Sequence, residues 1–227
     1  MANVDFRKFI MVEGPDGSGK TTLARGLAER MSQDRSVHLT AEPSGGPIGK
    51  LLRRYLSREE SPVMPDWNTL ALLFAADRLD HLRREVYPAL AEGKIVICDR
   101  YVLSNIVYQV ATRTVGMSEK EAAQFIGVVN RYAPEPGFTI LLNVPLDVTM
   151  ARVRARAATG GEATSNMEVT DVARAVHAFY GKCINMSRYP DCAARMSAID
   201  VQATDSPQSV CDAARQKVEA YLESLAP

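Results

Sequence analysis

The sequence predicts an α/β fold in which five parallel strands form one sheet with helices on both faces. Five short apolar runs recur along the 227 residues, and segments with helical periodicity separate them. A glycine-rich segment, residues 14–21, directly follows the first apolar run, as expected of a turn from a strand into a helix. The length suits one large domain with its own core, so we expect residues 1–227 to form a single domain.

Each predicted element is short and bounded by polar or glycine-containing turns. The predicted strands are Phe9–Glu13, Val37–Thr40, Ile95–Cys98, Thr139–Val144 and Met196–Val201. The predicted helices are Thr22–Met31, Ile48–Leu56, Trp67–Ala91, Ser118–Tyr132, Leu146–Arg156, Val169–Met186 and Pro207–Ser224. Because ligand sites in parallel sheets lie beyond the carboxyl ends of the strands, the loops after the first four strands should meet in one cleft.

The glycine-rich segment has the spacing of a phosphate-binding loop. It reads Gly14-Pro15-Asp16-Gly17-Ser18-Gly19-Lys20-Thr21, and Thr22 opens the predicted helix. The glycines allow backbone N–H groups to point at phosphate oxygens, and the positive N-terminus of the following helix faces the same place. Lys20 would bind the β- and γ-phosphates, and Thr21 would offer its hydroxyl to Mg²⁺. We therefore predict a site for a nucleoside triphosphate.

The bulk composition excludes several other classes of protein. The 27 basic and 27 acidic residues give a net charge of zero, which argues against a nucleic acid polymer as partner. The first residues contain no apolar signal core, and no apolar run reaches membrane-spanning length. The four cysteines lie far apart without a C-x-x-C pair, as expected of reduced thiols. These features predict a cytoplasmic protein without a membrane partner.

A second candidate motif follows the third predicted strand, at Asp99-Arg100-Tyr101. Asp99 could organise Mg²⁺ or its water shell, and Arg100 could bind a phosphate as a rigid fork. A strand-end ion pair without chemistry would have the same sequence, so the motif alone does not decide between the two.

From this motif outwards the chain resembles the bacterial thymidylate kinases, which are P-loop nucleoside monophosphate kinases. Asp99-Arg100-Tyr101, followed by a serine and then by Tyr-Gln, resembles the thymidine-site helix of that family. The other segments that resemble the family are the phosphate loop, which contains Asp16, and residues Thr40–Gly46, Leu73–Arg78, Leu142–Arg156 and Ile199–Val201. Their order and spacing, from about residue 9 to residue 210, make the resemblance specific.

The resemblance implies ATP-dependent phosphorylation of dTMP to dTDP in the synthesis of dTTP, with Mg²⁺ as cofactor, by a homodimer. It also implies the P-loop nucleoside monophosphate kinase fold, with a short lid at about residues 153–168. In-line transfer between two polyanions requires fixed cations around the moving phosphoryl group. The catalytic residues that it implies are Lys20, Asp99, Arg100, Arg154 and Arg156, with Thr21 and Asp99 as metal contacts.

The dTMP site implied by the resemblance consists of Asp16, Phe74, Arg78, Arg100, Ser104, Asn105, Tyr108 and Gln109. Phe74 and Arg78 are four residues apart and share a helical face, so the ring could stack on a pyrimidine while the guanidinium donates to O4 of thymine. Cytosine lacks that acceptor. Tyr108 would exclude the ribose 2′-hydroxyl, and Asp16 would accept a hydrogen bond from the 3′-hydroxyl. Phe74 and Tyr108 as core residues, and Arg78 as a surface charge, are the alternatives.

Two segments depart from the family pattern. Ala41 stands where the family has an arginine, so Lys50, Arg53 or Arg54 would have to supply that cation. Residues 165–168 read Ser-Asn-Met-Glu where the family has a lid arginine, whose loss would weaken the stabilisation of the transition state. Either Arg154 or Arg156 replaces it, or the enzyme is slow, or it acts on a related substrate.

These departures leave alternative functions open. The acceptor could be dUMP, a 5-substituted dUMP or another deoxynucleotide. The chain could also be a nucleotide-binding regulator that transfers little phosphate. A GTPase switch is disfavoured, because no N-K-x-D guanine motif follows the strand ending near Val144.

Overall fold

Five parallel strands form one sheet in the computed structural model, which describes residues 4–57, 65–159, 170–186 and 195–225. They are β1 (Phe9–Glu13), β2 (Val37–Ala41), β3 (Ile95–Asp99), β4 (Phe138–Asn143) and β5 (Met196–Asp200). Their order across the sheet is β2-β3-β1-β4-β5. Each predicted strand is present, with bounds that differ by one residue at most.

Helices connect the strands. They are α1 (Lys20–Met31), α2 (Pro47–Leu56), α3 (Trp67–His81), α4 (Tyr87–Ala91), α5 (Val102–Ala111), α6 (Glu119–Val129), α7 (Leu146–Ala158), α8 (Thr170–Met186) and α9 (Pro207–Glu223). A π-helical segment, Leu82–Val86, joins α3 to α4, so residues 67–91 are helical throughout, as predicted. Periodicity did not predict α5, whose β-branched residues Val102, Ile106, Val107 and Val110 are equally typical of a strand. Within the described ranges, none of the helices is long and apolar enough to cross a membrane.

The core lies on both faces of the sheet. Side chains alternate along β1, so Ile10 and Val12 belong to the core layer that contains α1 and α9, while Phe9 and Met11 pack with Leu82 of the π-helical segment on the other face. All five residues of β1 are buried, as are all five of β3, which is typical of strands covered by helices on both sides. The prediction of helices on both faces is therefore confirmed.

The strand register brings the predicted motifs together. Asp99 at the end of β3 pairs with Val12 of β1 and with Ala41 of β2. The phosphate loop after β1, the loop after β2 and the Asp99-Arg100 turn therefore leave the same edge of the sheet side by side. This is the cleft that the alternating pattern predicted.

Candidate active site

The phosphate loop contains three glycines with positive φ, Gly14, Gly17 and Gly19, and lies in close contact with α7. Gly17 has φ +79°, and a Cβ atom there would lie 2.3 Å from the carbonyl oxygen of Thr149, so a larger residue would push α7 away. Gly19, at φ +93°, is the residue that precedes α1, which begins at Lys20 rather than at the predicted Thr22. The backbone therefore turns directly from the loop into the helix N-terminus.

Lys20 is folded back across the loop and is only 6% exposed. Its Nζ donates to the carbonyl oxygen of Pro15 at 3.2 Å and pairs with Asp16 Oδ1 at 3.3 Å. Burial and the charge of Arg100 lower the pKa of Lys20, while Asp16 and Asp99 oppose that shift. The lysine is thus held at the loop by groups that a bound polyphosphate could replace.

Asp16 joins the phosphate loop to Arg100. Arg100 Nη2 pairs with Asp16 Oδ1, the same oxygen that Lys20 contacts. The Arg100 guanidinium lies 5.0 Å from the centre of the Tyr108 ring, and the Tyr108 hydroxyl accepts a hydrogen bond from the Asp16 N–H at 3.0 Å. Burial raises the pKa of Asp16, but Arg100 and Lys20 outweigh it and hold that pKa well below its usual value. Asp16 is therefore an anion between two cations.

Asp99 and Thr21 face each other beside the loop. The Thr21 hydroxyl donates to Asp99 Oδ2 at 2.5 Å. The second carboxylate oxygen, Asp99 Oδ1, is buried and has no hydrogen-bond partner within the described part of the chain. Thr21 and Thr22 are both exposed, and Thr21 is the one whose hydroxyl contacts Asp99. The hydroxyl and the carboxylate together form an oxygen-rich corner.

The predicted pyrimidine pair lies on α3, with Arg78 at 1% exposure and Phe74 half-buried. Arg78 Nη2 forms a salt bridge with Glu42 Oε2 at 2.6 Å, and Nη1 donates to the side-chain oxygens of Asn105 and Asn130. The Asn130 amide also donates to Asn105 Oδ1 at 3.0 Å. The alternative of a surface charge does not hold for Arg78, because several polar partners surround its guanidinium in the interior.

Glu42 and Asn130 are partners that sequence reasoning did not assign. Glu42 lies within the segment Thr40–Gly46 that the resemblance singled out. The sequence therefore indicated that this segment belongs to the site, but not that Glu42 pairs with Arg78. Asn130, 52 residues from Arg78, ends α6 outside every motif, and nothing local in the sequence marked it.

The remaining predicted base-site residues lie on α5. Ser104 is buried, and its hydroxyl donates to Glu13 Oε2 at 2.5 Å and accepts from Arg100 Nη1 at 3.3 Å. Gln109 is 1% exposed, and its backbone oxygen accepts from the indole of Trp67 at 2.8 Å. The helix therefore contacts the phosphate loop, Arg100 and Arg78 along its length.

Buried polar atoms without a partner concentrate at this site. Buried polar groups are nearly always hydrogen-bonded, so such atoms point to a ligand or to ordered water. Across the described ranges, all but His38 Nε2 belong to predicted site residues: Ser18 Oγ, Arg78 Nε, Asp99 Oδ1, Asn105 Nδ2 and Gln109 Oε1. The set contains both donors and acceptors, as recognition of a nucleotide requires.

The arginines of α7 take different positions. Arg152 Nη1 approaches the carbonyl oxygens of Gly17 and Ser18 at 3.4 and 3.5 Å, whereas Arg154 and Arg156 are exposed. The predicted lid at about 153–168 extends past the described residues after Thr159, and Ser165–Glu168 lies wholly outside them. Of the cations suggested in place of Ala41, Arg53 reaches that loop by donating to the carbonyl oxygen of Pro43.

Comparison with known proteins agrees with this geometry. The sequence profile of one family, described as thymidylate kinase, matches residues 12–192. The chain belongs to the thymidylate kinase family. The resemblance drawn from separate segments is thereby confirmed, and so is the fold, since the parallel five-stranded sheet with surrounding helices fits this family.

Curated relatives support the assignment. The chain is 40% identical over 182 residues to a probable thymidylate kinase of Pyrococcus horikoshii, covering 78% of this chain and 83% of that protein. It is 39% identical over 182 residues to a probable thymidylate kinase of Pyrobaculum calidifontis, covering 80% and 85%. A probable thymidylate kinase of Pyrobaculum aerophilum is 40% identical over 148 residues, or 65% and 70%.

Proposed function

We propose that this protein is a dTMP kinase, which transfers the γ-phosphoryl group of ATP to the 5′-phosphate of dTMP and produces ADP and dTDP for dTTP synthesis. The observation that carries the proposal is the convergence of Lys20 and Arg100 on one oxygen of Asp16. Lys20 belongs to the triphosphate loop and Arg100 to the turn beside it. Lys20 would bind a phosphate of ATP and Arg100 the phosphate of the acceptor. The two cations lie side by side, where in-line transfer would take place.

The phosphoryl transfer needs positioned charge more than covalent chemistry. The loop N–H groups, Lys20 and the N-terminus of α1 would bind the ATP phosphates. Arg100 would bind the phosphate of dTMP and, with Lys20, stabilise the charge that spreads over the oxygens of the transferred group. Before substrates bind, Asp16 pairs with both cations, and it would then accept a hydrogen bond from the 3′-hydroxyl of the sugar.

The acceptor base would lie between α3 and α5. Phe74 offers a half-buried ring for stacking. Arg78 Nε and Asn105 Nδ2, which have no hydrogen-bond partner among the described residues, are donors for thymine carbonyl oxygens. Gln109 Oε1, also without a partner in the part of the chain that the structure describes, is an acceptor for the N3–H of thymine. Tyr108 is fixed by its contacts with Asp16 and Arg100, so its ring would stand where a ribose 2′-hydroxyl would need room. Ser104 would support this site through its contacts with Arg100 and Glu13.

Asp99 and Thr21 fit a magnesium ion. Carboxylate and hydroxyl oxygens are the ligands that Mg²⁺ prefers, and Asp99 Oδ1 is a buried oxygen with no hydrogen-bond partner in the described ranges. No group of three or more His, Cys, Asp or Glu side chains suited to a metal occurs in the described ranges. A bound Mg²⁺ would therefore take its other ligands from ATP and water, and its charge would offset that of the phosphates.

We assign the missing lid cation to Arg156 rather than to Arg154. Arg156 shares a face of α7 with Arg152, four residues away, and Arg152 already contacts the phosphate loop. Arg154 points to a different side of the helix. Arg53, which reaches the loop after β2, would supply the acceptor-side cation that Ala41 lacks.

We further propose that the protein acts as a cytoplasmic homodimer. Leu72 and Leu79 lie on one face of α3 and are 53% and 41% exposed, and Val128 on the neighbouring α6 is 61% exposed. Exposed large apolar side chains on two helices that contact each other suit a subunit interface. The molar mass in solution, before and after Leu72→Glu, tests this point, and a monomeric wild type would contradict it.

The described cysteines are free thiols, as a cytoplasmic protein requires. Localisation of a tagged protein would test the compartment.

The deciding experiment measures ADP production with ATP and Mg²⁺, offering dTMP, dUMP, dCMP or dGMP as acceptor. We expect turnover that is selective for dTMP, and loss of that turnover in Lys20→Ala with the fold retained. Lys94→Ala is the matched control, because Lys94 precedes β3 at the opposite edge of the sheet. Preference for another acceptor, or ATP binding without ADP release, would overturn the proposal in favour of a related kinase or a regulator.

A further inference from the structure

We propose that Glu13 and Tyr180 are positioning residues that fix Arg100 in the acceptor site and connect it to α8. Glu13 ends β1, and Tyr180 belongs to the helix that follows the segment 160–169 in the chain. The inference rests on the proposed function, since it concerns the residue assigned to the phosphate of dTMP.

The first step is the saturation of the Glu13 carboxylate. Glu13 is completely buried and accepts four hydrogen bonds. Its Oε1 accepts from the N–H groups of Tyr101 and Ser104 at 2.8 and 3.3 Å. Its Oε2 accepts from the hydroxyls of Ser104 and Tyr180 at 2.5 and 3.0 Å. Each lone-pair site of a carboxylate is thereby used, so Glu13 has no capacity left to bind a substrate and acts only on its neighbours.

The second step is the backbone of Arg100. Its φ of +73° makes it the one non-glycine residue with positive φ in the described part of the chain. Such a conformation is unfavourable for a residue with a Cβ atom and persists only where the surroundings impose it. The Arg100 N–H donates to the carbonyl oxygen of Val12 at 3.1 Å, and the next N–H, that of Tyr101, donates to Glu13. Residues at the end of β1 therefore hold the backbone on both sides of the arginine.

The third step is the side chain of Arg100. The Ser104 hydroxyl gives its proton to Glu13, so its lone pairs face outwards and accept from Arg100 Nη1 at 3.3 Å. The Tyr180 hydroxyl lies 2.9 Å from the same Ser104 oxygen. Glu13 thus orients Ser104, Ser104 orients the guanidinium, and Tyr180 donates from α8 to the same carboxylate oxygen as Ser104.

Burying the hydroxyl of Tyr180 removes it from water, which is unfavourable unless the hydroxyl forms hydrogen bonds in the interior. Tyr180 is 1% exposed, and burial raises its pKa well above the usual value. Burial also raises the pKa of Glu13, against the hydrogen bonds from Ser104 and Tyr180 and the charge of Arg100. A phenylalanine would pack as well at position 180 but would leave the carboxylate one donor short.

The test is the kinetics of Tyr180→Phe. We expect the KM for dTMP to rise about fivefold, the effect of one lost hydrogen bond, while the KM for ATP changes by less than about twofold. Tyr221→Phe is the matched control, because Tyr221 stacks on Phe138 away from the site. A purely structural effect would lower the active fraction and hence kcat, with both KM values unchanged. That pattern, or no change at all, would overturn the inference.

A second experiment asks whether Tyr180 acts through Arg100. If it does, Tyr180→Phe should add little to the rise in KM for dTMP already caused by Arg100→Lys. Two effects that multiply independently would show that Tyr180 acts elsewhere. Failure of the wild type to phosphorylate dTMP would reject the proposed function itself. Normal dTMP turnover with an unchanged KM in Tyr180→Phe would reject only the positioning role.

Discussion

The buried pair of Arg78 and Glu42 gives the sharpest test of how this site is held together. Their side chains are 2% and 4% exposed and their atoms lie 2.6 Å apart, so both charges are removed from water. Replacing Arg78 with methionine retains most of the apolar volume but removes the arginine from the Glu42 carboxylate, which keeps the His81 ring of α3, 3.2 Å from its Oε1, as a partner. It also removes a donor to Asn105 and Asn130. The variant should therefore be destabilised as well as impaired in pyrimidine selection.

The size of the effect follows from burial. Removal of one partner of a buried ion pair lowers the free energy of unfolding by about 3–5 kcal/mol. For a domain of this size, 1 kcal/mol shifts Tm by about 2–4 °C, so Arg78→Met should lower Tm by about 6–20 °C. Arg84 and Asp80 form a matched pair near the same helix, also 2.6 Å apart but with 58% and 21% exposure. Arg84→Met should cost less than about 1 kcal/mol, because water screens such pairs.

Thermal unfolding of Arg78→Met, Arg84→Met and the wild type tests this prediction. A third protein, Arg78→Met with Glu42→Gln, removes both charges and should be less destabilised than the sum of the single changes. The reasoning would be refuted by a Tm for Arg78→Met that matches that of Arg84→Met. Additive effects of the Arg78 and Glu42 changes would also refute it.

Three further predictions concern the phosphates. Gly17→Ala should raise the KM for ATP at least about tenfold, because the new Cβ would meet Thr149 and a positive φ costs an alanine about 1–2 kcal/mol. An ATP titration that matches the wild type would contradict this prediction. Arg53→Ala should raise the KM for dTMP about tenfold and leave that for ATP unchanged, since it removes a cation from the acceptor side alone; equal changes in both constants would argue against this role. Arg156→Ala should lower kcat at saturating substrates at least about tenfold, whereas Arg154→Ala should change it less than about twofold; the reverse order would reassign the lid cation.

Local rules were sufficient for the framework of this protein. The three inner strands, β1, β3 and β4, are largely apolar runs that lie buried between helices, whereas the outer strands β2 and β5 are only partly buried. The phosphate loop depends on glycines and a lysine within eight consecutive positions, so its spacing alone indicated both its shape and its ligand. Helix α5 was harder to predict, because its β-branched residues favour a strand as much as a helix. The family resemblance indicated a helix there, and the structure packs that helix against α3, α6 and α8.

The partners that fix the side chains were beyond such rules. Tyr180 meets Glu13 across 167 residues, and Arg78 meets Asn130 across 52, whereas patterns within a helix relate residues only three or four apart. Sequence by itself determined the sheet, the phosphate loop and the family, because each depends on residues near one another in the chain. Tertiary structure alone decided which acids and amides hold Arg78 and Arg100, because a buried charge takes its partners from whichever elements the fold packs around it.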